Sequence, residues 1–306
     1  MQIGLSGGGA GVDRVIEQAV TAEADGFKAL WYAGAVGGDP LVGMTLAGRA
    51  PSTIELGTAV LQTYPCHPVL QANRALAVAS AMGRPAFTLG LGSSHHTVIE
   101  DTYGLDYDHP GRHTEEYFQV LEPLLKGEPV NFEGEDFRVH SPALSTEGST
   151  PVPLLLAALG PRLLRVAGAH ADGTILWMAN ARAIESHVTP TIQAAAEGAG
   201  RPAPRIVAGL PIAVHDDVEE ARSTAAKAFS VYGELSNYRR ILDRGGVAGP
   251  ADAAIVGDED AVTGQLEALF AAGATDYWAA ILPVGSDRSG SRQRTRALLK
   301  ELSAEA

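Results

Sequence analysis

Cysteine is nearly absent from the chain, Cys66 being its only one. One thiol cannot close an internal disulfide or build a thiolate metal cage, which excludes the disulfide scaffolds and the cysteine-based zinc modules. Cations are scarce too: 23 Lys and Arg face 36 Asp and Glu, a formal net charge of −13. Phosphate backbones and anionic membranes are gripped by clustered Lys and Arg, so a nucleic-acid partner and a membrane partner are both set aside. No apolar run approaches the roughly 20 residues of a membrane span. The amino terminus shows no basic segment followed by an apolar one, so the expectation is a soluble, cytoplasmic protein. Aromatic residues are few as well, 6% of the chain against 45% for all apolar residues. A core made largely of Ala, Val, Leu and Ile suits parallel strands buried between helices.

What is present is alternation. "QIGLS" (2–6) precedes a helical pattern over 12–26, and "FKALWY" (27–32) precedes another over 39–50. "TIELGTAV" (53–60) runs toward a helix over 68–83, opened by Pro68 and closed by Gly83, the usual punctuation of helix ends. "AFTLGLG" (86–92) is followed by a helix over 111–127, and "VPLLLAA" (152–158) by one over 160–170. "GTILWM" (173–178), "RIVAGLPIAV" (205–214) and "DYWAAIL" (276–282) complete a set of eight strands. Strand, helix, strand in series implies right-handed crossovers and a parallel sheet. Eight such units in 306 residues predict one α/β domain over 1–306, a closed (β/α)8 TIM barrel. Two insertions break the rhythm. Residues 127–151 predict a small hairpin after the fourth helix, "VNF" and "DFRV" about "EGE". Residues 231–257 predict a long loop after the seventh strand, aromatic and punctuated by glycine, and such loops are more often functional than idle.

Barrel chemistry gathers where strands end. The first two strand ends, Ser6 to Gly11 and Ala33 to Asp39, carry no His-x-His and no carboxylate pair. That argues against a metal-dependent hydrolase, and no metal site is expected. The third strand ends in "LQTYPCHP" (61–68), with Cys66 and His67, and the fourth in "GLGSSHH" (90–96), with Ser93, Ser94, His95 and His96. The fifth runs into "GPR" (160–162), where helix-start N–H groups and Arg162 would suit an anion.

At these residues the chain resembles a known family. "LGTAVLQTYPCHP", "FTLGLGSSH", "GLDYDHPGRHTEEYFQVLEPLLKGEPVNFEGEDFRV" and "GPRLLRVAGAHADGTILWM" are similar to the luciferase-like monooxygenase superfamily, and more closely to its coenzyme F420-dependent oxidoreductases of actinobacterial type. The resemblance implies a deazaflavin ring across the strand ends, with its phosphate cradled by Gly92, Ser93, Ser94, Gly160, Pro161 and Arg162. It also implies a cis peptide at Ala59–Val60 against the ring, Gln62 and Thr63 at the ring's polar edge, and a homodimer built on the helices after strands two and three. Trp177 would either line the ring pocket or fill the barrel mouth.

The implied reaction is hydride transfer to or from a small organic substrate. The sequence departs from the sugar-phosphate and alcohol relatives, whose acid or histidine after strand two is matched by Ala33 or Gly34, and whose glutamate after strand four is matched by His95. Reduction of an activated C=C or C=N bond fits better, with His95 or His96 as proton donor, since an imidazole titrates near neutrality. Two other readings stay open: an FMN-dependent monooxygenase on the same barrel, and a non-catalytic cofactor-binding subunit. Several tempting residues have plainer explanations. His109 and His113 are spaced like a metal pair but read as a helix start with Glu115 and Glu116 in its first turn. Asp172 reads as a turn closer, Cys66 as inert, and His67 as structural. Tyr232, Asn237, Tyr238 and Arg239 are candidates for a lid or a contact to the cofactor's tail.

Overall fold

A computed structural model describes residues 1–8, 11–33, 39–49 and 53–304. In chain order the elements are β1 (Ile3–Ser6), α1 (Val12–Ala24), β2 (Ala29–Tyr32), α2 (Pro40–Gly48), β3 (Glu55–Thr58), β4 (Leu61–Gln62), α3 (Pro68–Met82) and β5 (Phe87–Gly92). A π-helical turn (Thr97–Thr102) leads to α4 (Pro110–Leu125), the hairpin β6 (Val130–Glu133) and β7 (Arg138–Ser141), β8 (Leu154–Leu156), α5 (Pro161–His170) and β9 (Gly173–Trp177). Next come α6 (Ala181–Ala183), a second π-helical turn (Ile184–Val188), α7 (Thr189–Gly198), β10 (Arg205–Val214) and α8 (Val218–Ala228). The last are α9 (Val231–Glu234), α10 (Ser236–Arg244), α11 (Pro250–Ala253), β11 (Ile255–Gly257), α12 (Glu259–Ala271), β12 (Asp276–Ile281) and α13 (Arg288–Ala304).

The parallel pairs β12–β1–β2–β3–β5–β8–β9–β10 return to β12, so the sheet closes into an eight-stranded barrel as expected. β4 continues the line of β3 beside β5, and β11 extends the edge of β10 above β9. Capping explains several helix starts. Asp39 Oδ1 accepts from Leu41 N at 3.0 Å with Pro40 following it, and Asp217 and Asp258 cap α8 and α12 through Glu220 N and Ala261 N; each such cap is worth about 1 kcal/mol.

Inward-facing residues alternate along each strand and fill the barrel in layers. At the amino-terminal end, Arg205 Nη1 and Nη2 donate to Glu55 at 2.7 and 2.8 Å, and Arg205 Nε donates to Asp276 at 2.9 Å. Above this ionic floor sit Trp31 and Trp278, packed with Ala29, Leu155, Ile175 and Val207. Trp31 needs Gly57 beside it, because a Cβ there would come within 2.2 Å of the indole.

Two expectations need correction. The hairpin exists, but its turn spans 134–137 rather than 133–135, with Glu133 opposite Arg138. Glu116 fixes it there: its buried carboxylate accepts from the N–H groups of Glu135, Asp136 and Phe137 at 2.8 to 3.0 Å. Because α4 begins at Pro110, Glu115 and Glu116 lie past its first turn, so Glu116 serves the hairpin rather than the helix dipole. The segment 231–257 is not a loop. It holds α9, α10, α11 and β11, and α8 separates it from β10.

Candidate functional site

The carboxyl end of the barrel is shaped by the break between β3 and β4, where the Ala59–Val60 peptide is cis, as the resemblance implied. Thr58 anchors the break to β5: its hydroxyl donates to Gly90 O at 2.7 Å and accepts from Gly90 N at 2.8 Å. Gly90 is required by this approach, since a Cβ would stand 2.0 Å from Thr58 O. Two residues on, a Cβ on Gly92 would meet Val60 at 2.9 Å and Ala157 at 3.0 Å, so the missing side chain lets those two residues pack against the strand. Ala59, Val60, Ala157, Trp177 and Trp278 form one apolar cluster under the mouth.

Polar groups border this floor. Thr63 N donates to Gly92 O at 3.0 Å, while Thr63 Oγ1 is buried and has no hydrogen-bond partner among the described residues. Gln62, half-buried, pairs in register with Gly92. Ser93 and Ser94 follow, and Ser94 has φ of 66°, a left-handed conformation that a residue with a Cβ seldom adopts and that is characteristic of working sites. Tyr107 holds this loop, its hydroxyl lying 2.7 Å from Ser94 O and 3.1 Å from Ser93 Oγ. A carbonyl only accepts, so the Tyr107 proton goes to Ser94 O and the Ser93 proton points to Tyr107. The structure thus adds Tyr107 to the residues around the loop. Its isolated place in "GLDYDHPG" gave no spacing signal.

His95 and His96 diverge. His96 is exposed at the head of the π-helical turn, whereas His95 is half-buried with its ring 5.7 Å from that of Tyr238. Burial, with a smaller push from His96, lowers the His95 pKa below its usual value near 6.5. Gly160 opens α5 without a side-chain cap and with Pro161 at its first position. Arg162 does not face the mouth alone: Nε and Nη2 donate to Glu115 Oε2 at 2.9 and 2.7 Å, drawing the guanidinium onto α4. Trp177 is half-buried and lies 5.1 Å from Trp278, 5.8 Å from Phe229 and 5.9 Å from Tyr232. Of the two positions expected to match the relatives' strand-two acid, Ala33 is exposed just after β2 and Gly34 lies outside the described residues.

The remaining predicted residues take structural places. His67 Nδ1 accepts from Val69 N at the start of α3. Cys66 is buried, and its carbonyl accepts from Tyr117 at 2.9 Å. Asp172 Oδ2 accepts from Leu154 N at 2.8 Å, closing the turn into β9. His113 stacks on Tyr64 at 3.8 Å, and burial, against the nearby carboxylates of Asp136 and Glu116, pushes its pKa down to about 4. Among the described residues no cluster of three or more His, Cys, Asp or Glu is arranged to hold a metal, and no described helix is long and apolar enough to cross a membrane.

A closed parallel barrel with its polar loops and close-packed glycines gathered at the strand carboxyl ends defines the class. The chain belongs to the luciferase-like monooxygenase family, whose model matches residues 2–303. It is 31% identical to an F420-dependent hydroxymycolic acid dehydrogenase from Mycobacterium tuberculosis, over 205 residues covering 62% of this chain and 55% of the relative. It is 27% identical over 312 residues to a 5,10-methylenetetrahydromethanopterin reductase from Methanopyrus kandleri, covering 87% and 88%. The fold matches the coenzyme F420-dependent tetrahydromethanopterin reductase structure from Methanopyrus kandleri with a TM-score of 0.74 at 20% identity, covering 99% and 97% of the two chains. It also matches, at 0.73 and 17% over 100% and 98%, the FMN complex of the oxygenating constituent of 3,6-diketocamphane monooxygenase from Pseudomonas putida.

Proposed function

We propose that this protein is a coenzyme F420-dependent oxidoreductase that reduces an activated C=C or C=N bond of a small organic substrate. The observation that carries the reading is the mouth itself: an apolar floor of Ala59, Val60, Ala157 and Trp177, bordered by a buried Thr63 hydroxyl with no partner among the described residues. A flat ring carrying polar edge atoms would cover the first and satisfy the second. The F420-dependent relatives favour a deazaflavin as that ring.

Ala59 and Val60 would support the ring, with Gln62 and Thr63 at its polar edge. The backbone and hydroxyl of Ser94, with Gly92, Ser93 and the uncapped start of α5 at Gly160 and Pro161, would receive its phosphate. Arg162 would contribute charge near that phosphate while remaining paired with Glu115. A bound, reduced deazaflavin would supply the hydride, which would form the C–H bond at one end of the acceptor's double bond as the π electrons move to the other end, leaving the cofactor oxidised. His95 delivers the balancing proton, and its half-buried ring beside Tyr238 suits it to this better than the exposed His96. Trp177 and Trp278 keep water from the floor.

An FMN-dependent monooxygenase is the second reading, favoured by the likeness to the FMN-bound barrel. The absorbance of chromophore retained on the purified protein, together with turnover of reduced deazaflavin by an unsaturated ketone, tests the choice. A deazaflavin spectrum with turnover lost in His95→Ala is expected. A flavin spectrum with oxygen consumption would replace the first reading by the second, and no turnover with either cofactor would leave a cofactor-binding subunit. The protein is further proposed to form a homodimer. Val42 and Leu46 on α2 and Leu70 on α3 are large apolar side chains left exposed, on the helices after strands two and three.

A further inference from the structure

A chain of aromatic rings crosses the barrel mouth. It begins at Trp177 on β9, passes to Phe229 and Tyr232 at 5.8 and 5.9 Å, continues to Tyr238 at 4.8 Å from Tyr232, and ends at His95, 5.7 Å from Tyr238. In a chain with only 6% aromatic residues, this concentration over the site is notable. These side chains are half-buried rather than sealed in the core.

The cations on α10 are engaged within the protein. On α10, Arg239 donates to Asp243, Val247 O and Ala248 O, Arg240 to Ser236, and Arg244 lies against His187. Burial raises the pKa of Tyr232 and Tyr238 and lowers that of His95. Shifts toward the neutral form in acid and base alike mark a dry site rather than one biased toward either sign. A charged group entering such a site would lose solvation.

We propose that the roof of Phe229, Tyr232 and Tyr238, facing His95 and Trp177, selects flat, uncharged acceptors whose C=C bond is conjugated to an aryl group. This rests on the proposed reductase activity and adds the class of substrate. The aryl ring would stack within the roof and so hold the conjugated carbonyl within reach of His95, the same two-electron, one-proton reduction following.

Two matched ketones test it, 3-penten-2-one and its phenyl counterpart, 4-phenyl-3-buten-2-one, with the holoprotein and reduced deazaflavin. The phenyl compound should be favoured in kcat/KM by roughly tenfold or more, the scale of one or two aromatic contacts. Tyr238→Leu, and separately Phe229→Leu, should bring the ratio toward one. A readout independent of turnover uses the saturated 4-phenyl-2-butanone. It should quench the tryptophan fluorescence of the cofactor-free protein saturably and bind more weakly to Tyr238→Leu. A carboxylate or trimethylammonium group on its ring should weaken it further. Equal turnover of the two enones, or tighter binding of either charged ketone, overturns the proposal while leaving the reductase reading intact. Saturable quenching without deazaflavin turnover would support the roof and defeat the reductase reading.

Discussion

Thr63→Val should move stability and cofactor affinity in opposite directions. Thr63 is 1% exposed, and its Oγ1 lacks a partner among the described residues while its N–H is held by Gly92 O. A buried hydroxyl left unsatisfied costs about 1–3 kcal/mol, and valine fills nearly the same volume without the polar atom. The cofactor-free variant should therefore be more stable by about 1–2 kcal/mol. For 306 residues the unfolding entropy is on the order of 0.6 kcal/mol/K, so the Tm should rise by about 2–3 °C. With the deazaflavin bound the hydroxyl has a partner, and its loss should weaken binding roughly three- to tenfold. Scanning calorimetry of both proteins with and without cofactor reads both quantities. A variant less stable than the parent, or one that binds the deazaflavin equally well, would refute the argument that this hydroxyl awaits a ligand.

Other predictions follow from single groups. His113 is charged near pH 6.5 in an unfolded chain but is held to about 4 when folded. Its contribution, about 3 kcal/mol at most, is complete above pH 6.5 and is lost as pH falls toward 4. His113→Phe, which keeps the stack on Tyr64, should flatten the Tm between those pH values. If His95 donates the proton as imidazolium, kcat/KM for reduction should fall as pH rises through a value below 6.5. His95→Ala should abolish that limb and lower the rate about 10²- to 10⁴-fold, whereas an unchanged profile would remove His95 from the mechanism. Leu46→Glu places a charge on the exposed α2 face and should convert a dimer to monomers in sedimentation velocity, with the monomer retaining its circular dichroism.

The eight barrel strands were legible because buried parallel strands appear as short apolar runs between amphipathic helices, a local pattern. The hairpin turn was displaced because Glu116, distant in sequence, decides which N–H groups turn inward. The helices of 231–257 escaped notice because they are short, at 4, 9 and 4 residues, too short for a clear period. At the site, Gly92, Ser93 and Ser94 with Ala59 and Val60 were reached through family resemblance, and the structure brings them together at β4 and β5. Arg162 was expected only to serve an anion, because its pairing with Glu115, 47 residues away, has no sequence signature. Trp278 was hidden in a strand whose alternation gives its direction but not its neighbours. The aromatic roof joins residues from 95 to 238, and only folding assembles it.

The barrel mouth is proposed to hold a phosphate-bearing deazaflavin. Parallel equilibrium titrations of the cofactor-free protein with coenzyme F420 and with FMN, followed by ligand fluorescence, test it most directly. Saturable binding of the deazaflavin, tighter than FMN and weakened in Thr63→Val, is predicted. Tighter binding of FMN, or saturation by neither, would contradict it.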